Sequence, residues 1–243
     1  MAKRVVVFAP HPDDETLGCG GTIASRLNEG YDVSVVFLTD GRYSLAEFGA
    51  SSEPTPLEMK ATRKEEAIRA TKILGLREKN LFFLDFEDTT LQKNEKTAQE
   101  RVSEILQDLS PAEVFFPQEN EYNMDHRATN AIIKRAIKTL DLHLFESQYI
   151  IAWSFPFYLF LHIMNESMFD RIVSRFPKRK LIHVDISEFF HLKETAMKEY
   201  KSQTTLLSVE QKRPALKDSF LKRSLKTEEK FFVSILEAKG RSL

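Results

Sequence analysis

Arg4-Val-Val-Val-Phe-Ala9, followed at once by Pro10-His-Pro-Asp-Asp-Glu15, is the stretch on which the reading of this chain turns. The first part is a short apolar run, and such runs are characteristic of strands covered on both faces of a sheet. It is too short for the apolar region of a signal peptide, and no small-residue cleavage site follows it. The second part puts an imidazole and three carboxylates directly after that strand. In an open parallel sheet, ligands bind at the carboxyl ends of strands, so this loop falls where chemistry is done. Its two prolines narrow the directions in which His11 and the aspartates can point. An acid-rich helix N-terminus would account for Asp14 and Glu15 through the helix dipole, but it leaves His11 unexplained.

Outward from this segment, strand and helix signals alternate, the order a parallel α/β sheet produces. Leu17 to Asn28 reads as a helix ended at Gly30, and Val33 to Leu38 as a second buried strand closed by the turn Thr39-Asp-Gly41. Thr55-Pro-Leu-Glu58 has a capping-box residue at each end and proline at the first helical position, so a helix starts there and runs to Leu74-Gly75. Asn80 to Asp85 is a third strand. Ala98, Val102, Ile105, Leu106 and Leu109 recur at helical spacing before a fourth strand, Glu113 to Pro117. Ser110-Pro-Ala-Glu113 imitates a capping box, but Val114-Phe-Phe-Pro117 cannot continue as a helix. A polar loop, Gln118 to Met124, leads into a helix whose apolar face is Ala128, Ala131, Ile132, Ala136, Ile137 and Leu140, which puts Asp125 and His126 at its start. A fifth strand is expected at Tyr149 to Trp153, a sixth at Lys180 to Asp185, a helix from Glu188 to Lys201 and a last helix from Glu228 to Ala238. Between strands five and six, Trp153, Phe155, Phe157, Tyr158 and Phe160 form an aromatic cluster without clear periodicity. It suits a core or subunit contact, a stacking wall for sugar rings, or an apolar patch for a lipid-linked substrate.

Composition narrows the function classes. The chain has 243 residues with 35 Lys+Arg against 36 Asp+Glu, a net charge of −1, so it carries no global footprint for nucleic acid and none is expected as a partner. A hydrophobic fraction of 42% with 29% charged residues belongs to a globular chain and excludes intrinsic disorder. The single cysteine, Cys19, makes an intramolecular disulfide impossible and favours a reducing, cytoplasmic setting. Ile150 to Met164, the longest apolar stretch, is broken by Pro156 and carries His162; it falls short of the ~18 apolar residues of a spanning helix, so no transmembrane segment is expected. The glycines at 18, 20 and 21 lack the dinucleotide-binding spacing, and the acidic loop before them would repel a pyrophosphate.

Asn123-Met-Asp-His126 is the second segment with chemical potential, again between a strand end and a helix. If strands one and four are neighbours, the two loops meet over one sheet edge. Two histidines and an aspartate from separate loops form an N,N,O set of the kind that holds a catalytic zinc with a fourth position open for water, although Fe²⁺ or Co²⁺ would also suit it.

His11-Pro-Asp-Asp14, Thr39-Asp-Gly41, Arg63 with Glu66 before Leu74-Gly75, and Asp125-His126 resemble the motifs of the LmbE-like, or PIG-L, zinc-dependent de-N-acetylases. The resemblance extends through Lys193, Ala196, Tyr200 and Ser202-Gln203. It therefore covers about residues 1–203 of one domain spanning 1–243, with 204–243 as a helical extension. It implies a Rossmann-like α/β fold, a mostly parallel sheet flanked by helices, that hydrolyses the acetamide of a GlcNAc-type glycan or conjugate. By motif, His11, Asp14 and His126 would bind Zn²⁺, Asp13 would be the general base, Asp125 and Asn123 would complete the catalytic set, and Arg63 would contact the sugar. An ion pair with Glu66 at i+3 is the plainer reading of Arg63. Asn123 departs from a common form of the family, which has histidine there; asparagine can donate a hydrogen bond but cannot act as an acid near neutral pH. Asp13 could then return the proton itself, or one of His143, His162, His183 and His191 could enter the site. A noncatalytic carbohydrate-binding protein and a sugar-thiol conjugate amidase are the competing readings, and a homo-oligomer is compatible with either.

Overall fold

The computed structural model describes residues 2–45, 54–151, 179–207 and 211–234. The alternation expected from the sequence is present: β1 (Arg4–Ala9), α1 (Asp14–Asn28), β2 (Asp32–Thr39), α2 (Pro56–Ile73), β3 (Leu81–Phe86), α3 (Glu95–Leu109), β4 (Glu113–Pro117), α4 (Met124–Thr139) and β5 (Phe145–Tyr149). There follow β6 (Arg179–Asp185), α5 (Phe190–Met197), α6 (Lys201–Thr204), α7 (Asp218–Ser224) and β7 (Glu228–Ser234). The described strands form one sheet in the order β3-β2-β1-β4-β5-β7-β6. β1 to β5 run parallel, and β7 is antiparallel to both β5 and β6.

Strand residues alternate between two cores because successive side chains leave opposite faces. Val5, Val7, Ala9, Val35, Phe37 and Phe115 point to the face covered by α1, α2 and α5, while Val6, Phe8, Val36, Leu38, Val114 and Phe116 point to the face covered by α3 and α4. Every one of these side chains is buried, and full burial of each Val, Leu or Phe contributes roughly 1.5–3 kcal/mol. α1 lies close to the sheet at Gly18, where a Cβ would come within 2.6 Å of the Tyr149 ring. That approach leaves the Tyr149 hydroxyl to donate to the carbonyl of Phe8 at 2.7 Å. Thr55 and Glu58 form the expected capping box at the start of α2.

Three expectations are corrected. Glu228–Ser234 is a strand, not the start of a helix. Phe231, Phe232 and Val233 are all buried, and an aromatic, β-branched run between two strands gains ladder bonds on both sides that an isolated helix could not match. The fifth strand is Phe145–Tyr149, earlier than expected, because its register is set by pairing with Glu113–Pro117. The helix expected from Glu188 to Lys201 divides into α5 and α6 at Tyr200, whose φ of −78° and ψ of 59° interrupt it. The aromatic cluster from Trp153 to Phe160 lies outside the described residues.

The order β3-β2-β1-β4-β5 reverses direction between β1 and β4, which pair in register from Val5–Glu113 to Val7–Phe115. The loops leaving these two strands diverge to opposite sides of the sheet and open a crevice at its carboxyl edge, the usual binding position in such folds.

Candidate metal centre

The loop after β1 is tied down before it reaches its functional residues. Thr39, at the end of β2, donates both its backbone N–H and its hydroxyl to the carbonyl of Pro10, each at 2.8 Å. His11 follows, then Asp13 with φ of 122° and ψ of −25°, then Asp14 as the first residue of α1. A non-glycine residue in that conformation carries about 1–3 kcal/mol of strain and persists only where its surroundings impose it. The carbonyl of Asp13 accepts from Thr16 and Leu17 and so opens the helix.

The loop after β4 brings in the second imidazole. Asn123 caps α4, its Oδ1 accepting the Asp125 N–H at 2.7 Å, and the first turn carries Asp125 and His126 inward. His11 Nδ1 and His126 Nε2 each lie 3.1 Å from Asp14 Oδ2. These three side chains are buried, and their ligand atoms fall within 4.8 Å of one another. Donors bound at ~2.0–2.1 Å around a tetrahedral zinc stand about 3.3 Å apart, so the spacing suits a metal. The electrostatics agree. Burial raises the Asp14 carboxyl, but His126 and His11 outweigh it and hold the group well below the usual carboxylate range. Burial lowers His11, yet its contacts with Asp125, Asp14 and Asp88 carry it well above its ordinary value. The pocket thus favours positive charge beside Asp14, as a cation would supply.

The other nitrogen of His11 is also engaged: Nε2 is 3.2 Å from Asp88 Oδ1 and 3.4 Å from Asp125 Oδ2. Those two carboxylates with His11 make a second group able to hold a cation. Their remaining capacity is spent on backbone. Asp125 accepts N–H groups from Thr89 at 2.7 Å and Leu91 at 3.2 Å, and Asp88 accepts that of Tyr43 at 3.0 Å. A carboxylate on the far nitrogen of a liganding histidine fixes its ring and tautomer, which is the arrangement seen at His11.

Asp13 faces away from Asp14 and toward Arg63, whose Nη1 donates to Asp13 Oδ2 at 3.2 Å. Burial pushes the Asp13 carboxyl up, Arg63 pulls it down and the charge of Asp14 adds to the rise, leaving it at about 6. Arg63 itself is only 2% exposed and makes no ion pair with Glu66, which instead accepts the N–H and hydroxyl of Ser202 at 2.8 and 2.6 Å. Gly41 fits beside Arg63 for two reasons: its φ is 64°, and a Cβ would come within 2.9 Å of Arg63 Nε.

The structure therefore brings His11, Asp13, Asp14, Arg63, Asp125 and His126 together, while Asn123 stands at the exposed rim as a helix cap. Asp85 is on the surface, paired with Lys60 at 2.8 Å, and Asp40 is a buried turn residue bonded to Arg42. His183 pairs with Glu228, His191 contacts the Glu188 carbonyl, and His143 is exposed; His162 lies outside the described residues. Cys19 is buried and free, its thiol pushed up by burial. Sequence reasoning gave Asp85 and Asp88 only as acids after the third strand that could meet sugar hydroxyls, below a solvated-loop reading, and did not single out Glu121. Asp88 had one signal, an acid soon after a strand end. Glu121, with Oε2 3.8 Å from His126 Nδ1, had none beyond lying in the same loop. Among the described residues, no helix is long and apolar enough to cross a membrane.

This geometry coincides with the comparisons to known proteins. The model of the PIG-L family, GlcNAc-PI de-N-acetylase, matches residues 6–137, which include every residue of the centre. Diacetylchitobiose deacetylase of Thermococcus kodakarensis is 30% identical over 204 residues, spanning 83% of this chain and 70% of that protein. The "Probable N-acetyl-alpha-D-glucosaminyl L-malate deacetylase 2" of Bacillus cereus is 29% identical over 143 residues, 58% of this chain and 63% of that protein. The fold is shared with N,N'-diacetylchitobiose deacetylase from Pyrococcus horikoshii, at a TM-score of 0.67 and 21% identity over 96% of this chain and 84% of that one. By its sequence match and its architecture, the chain belongs to the PIG-L family of GlcNAc-PI de-N-acetylases.

Proposed function

We propose that this protein is a zinc-dependent hydrolase that removes the N-acetyl group from a small GlcNAc-containing glycan or conjugate, the whole of 1–243 forming one deacetylase domain. The observation that carries this reading is the convergence of His11 Nδ1, Asp14 Oδ2 and His126 Nε2 beside a separately held Asp13. His11, Asp14 and His126 would hold the metal. When bound, zinc lowers the pKa of water toward ~7 and polarises the amide carbonyl. Arg63 occupies Oδ2 of Asp13, which leaves Oδ1 to accept the proton of the attacking water. Because Asn123 has no acidic proton to give, the same Asp13 carboxyl hands that proton to the departing amine. Asp125 and Asp88 act on His11 by fixing its ring. Arg63, buried against Asp13, serves the base more directly than it serves the sugar. The carboxylates around the centre suit a neutral sugar, and a cytoplasmic enzyme is the reading most consistent with its lone thiol.

Metal content and acetate release test this together. Purified protein loaded with zinc and cleared of free metal is expected to retain about one zinc per chain, with His126→Ala losing it, and to release acetate from GlcNAc conjugates. A folded wild type that retains no metal would sink the hydrolase reading. The role of Asn123 as a helix cap favours one second reading, a sugar-binding protein without turnover. It predicts glycan binding, seen by calorimetry, with no acetate.

A further inference from the structure

Asp13 is held in a backbone conformation, φ 122° and ψ −25°, without a capping hydrogen bond from its side chain to the first turn of α1. Two groups impose it. Glu15 Oε2 accepts the Asp13 N–H at 3.0 Å, and Arg63 Nη1 holds its carboxylate at 3.2 Å. Both lead to a single residue far along the chain. The Tyr200 hydroxyl donates to Glu15 Oε1 at 2.6 Å, and the guanidinium of Arg63 lies over the Tyr200 ring at 5.9 Å from its centre. Tyr200 and Glu15 are fully buried.

We propose that Tyr200 is a positioning residue for Asp13, bracing its backbone through Glu15 and its carboxylate through Arg63. The proposal rests on the reading of Asp13 as the proton acceptor. The break between α5 and α6 has a purpose in this account: it turns Tyr200 inward, while Ser202 and Gln203 beyond it anchor to Glu66 and to Ser44. Glu15 is needed as a carboxylate because both of its oxygens accept, Oε1 from Tyr200 and Thr16 and Oε2 from Asp13. A glutamine there could accept on only one side, since its amide nitrogen would face a donor on the other. Simple core packing would need neither the hydroxyl nor the charge.

The test is a pair of variants, Tyr200→Phe and Glu15→Gln, each examined by crystallography and by kinetics as the zinc-loaded full chain. Tyr200→Phe keeps the ring over Arg63 and removes one hydroxyl; Glu15→Gln keeps the volume. In either variant, Asp13 is expected to leave its positive φ or to take more than one carboxylate orientation. In parallel kcat should fall about tenfold while KM and zinc content stay at wild-type values. An Asp13 superimposable on the wild type in both variants would overturn the proposal, whatever the activity; so would an unchanged kcat in a protein that is merely less stable. Should Asp13 shift as expected while even the wild type releases no acetate, the positioning role stands and the deacetylase reading fails. If Tyr200→Phe does not fold, Glu15→Gln decides the matter alone.

Discussion

The parallel half of the molecule, β1 to β4 with their loops, contrasts with the C-terminal third from β6 to β7. In the first, the proposed metal ligands and the two carboxylates that hold His11 all lie in loops or first helical turns that follow a strand: His11 and Asp14 after β1, Asp88 after β3, Asp125 and His126 after β4. The C-terminal third contributes none of those groups. It contributes braces instead, and they reach across the chain: Tyr200 to Glu15 over 185 residues, Ser202 to Glu66 over 136, and Glu229 to the Gly21 N–H over 208. Lys193 adds a buried ion pair with Glu229 at 2.7 Å and a hydrogen bond to the Leu17 carbonyl at 2.9 Å, so α1 is clamped at mid-length by both residues. The groups proposed for the chemistry thus come from the first region and these long-range braces from the last, and the two should respond differently to substitution.

Asp13→Asn should give the largest effect on turnover. It removes the proposed proton acceptor while keeping a hydrogen-bond acceptor for Arg63, so acetate release is expected to fall by about 10²–10⁴ with zinc content and unfolding midpoint near wild type. A matching loss of metal would show instead that Asp13 belongs to the ligand set. Lys193→Ala probes the other region. Leaving Glu229 buried without its partner is expected to cost about 3–5 kcal/mol, read by urea denaturation, while the fraction that remains folded keeps its zinc. If Lys193→Ala abolished metal binding in folded protein, the division between the two regions would not hold.

Gly18→Ala sharpens the comparison at a packing contact, α1 against β5, that carries neither the proposed ligands nor the long-range braces. The new methyl would press on the Tyr149 ring, and overpacking of this kind costs about 1–3 kcal/mol; the expected result is a lower unfolding midpoint with the zinc site intact. Thr55→Ala sits at the small end. It breaks an exposed capping box at the start of the helix that carries Arg63, without touching Arg63 itself, so thermal unfolding should register a loss of about 1 kcal/mol with acetate release unchanged. A change in kcat there would mean that the start of α2 communicates with Arg63.

Much of the centre was legible because its motifs are local. A short apolar strand followed by His11-Pro-Asp-Asp14, and a strand-to-helix loop ending in Asp125-His126, need only the rule that parallel strands end at one edge to be brought together. The helix start at Thr55 was legible for the same reason, since a capping box is complete within four residues. Arg63 carried two readings, an ion pair with Glu66 at i+3 and a sugar contact; helical spacing supplies the first, but burial at 2% put both side chains against other elements, Arg63 on Asp13 and Glu66 on Ser202. Asp88 lacked any local pattern that set it apart from a solvated loop acid.

The sequence by itself determined the alternating α/β order, the strand edge that carries the chemistry, and the residue types able to bind a metal, since each depends on spacings of a few residues. Tertiary structure alone decided that Glu228–Ser234 is a strand, that the Tyr200 hydroxyl meets Glu15, and that Glu229 and Lys193 clamp α1. A buried polar group must find a partner, but which partner depends on what packing brings within about 3 Å, and residues some 200 positions apart leave no trace of that meeting in the order of the chain.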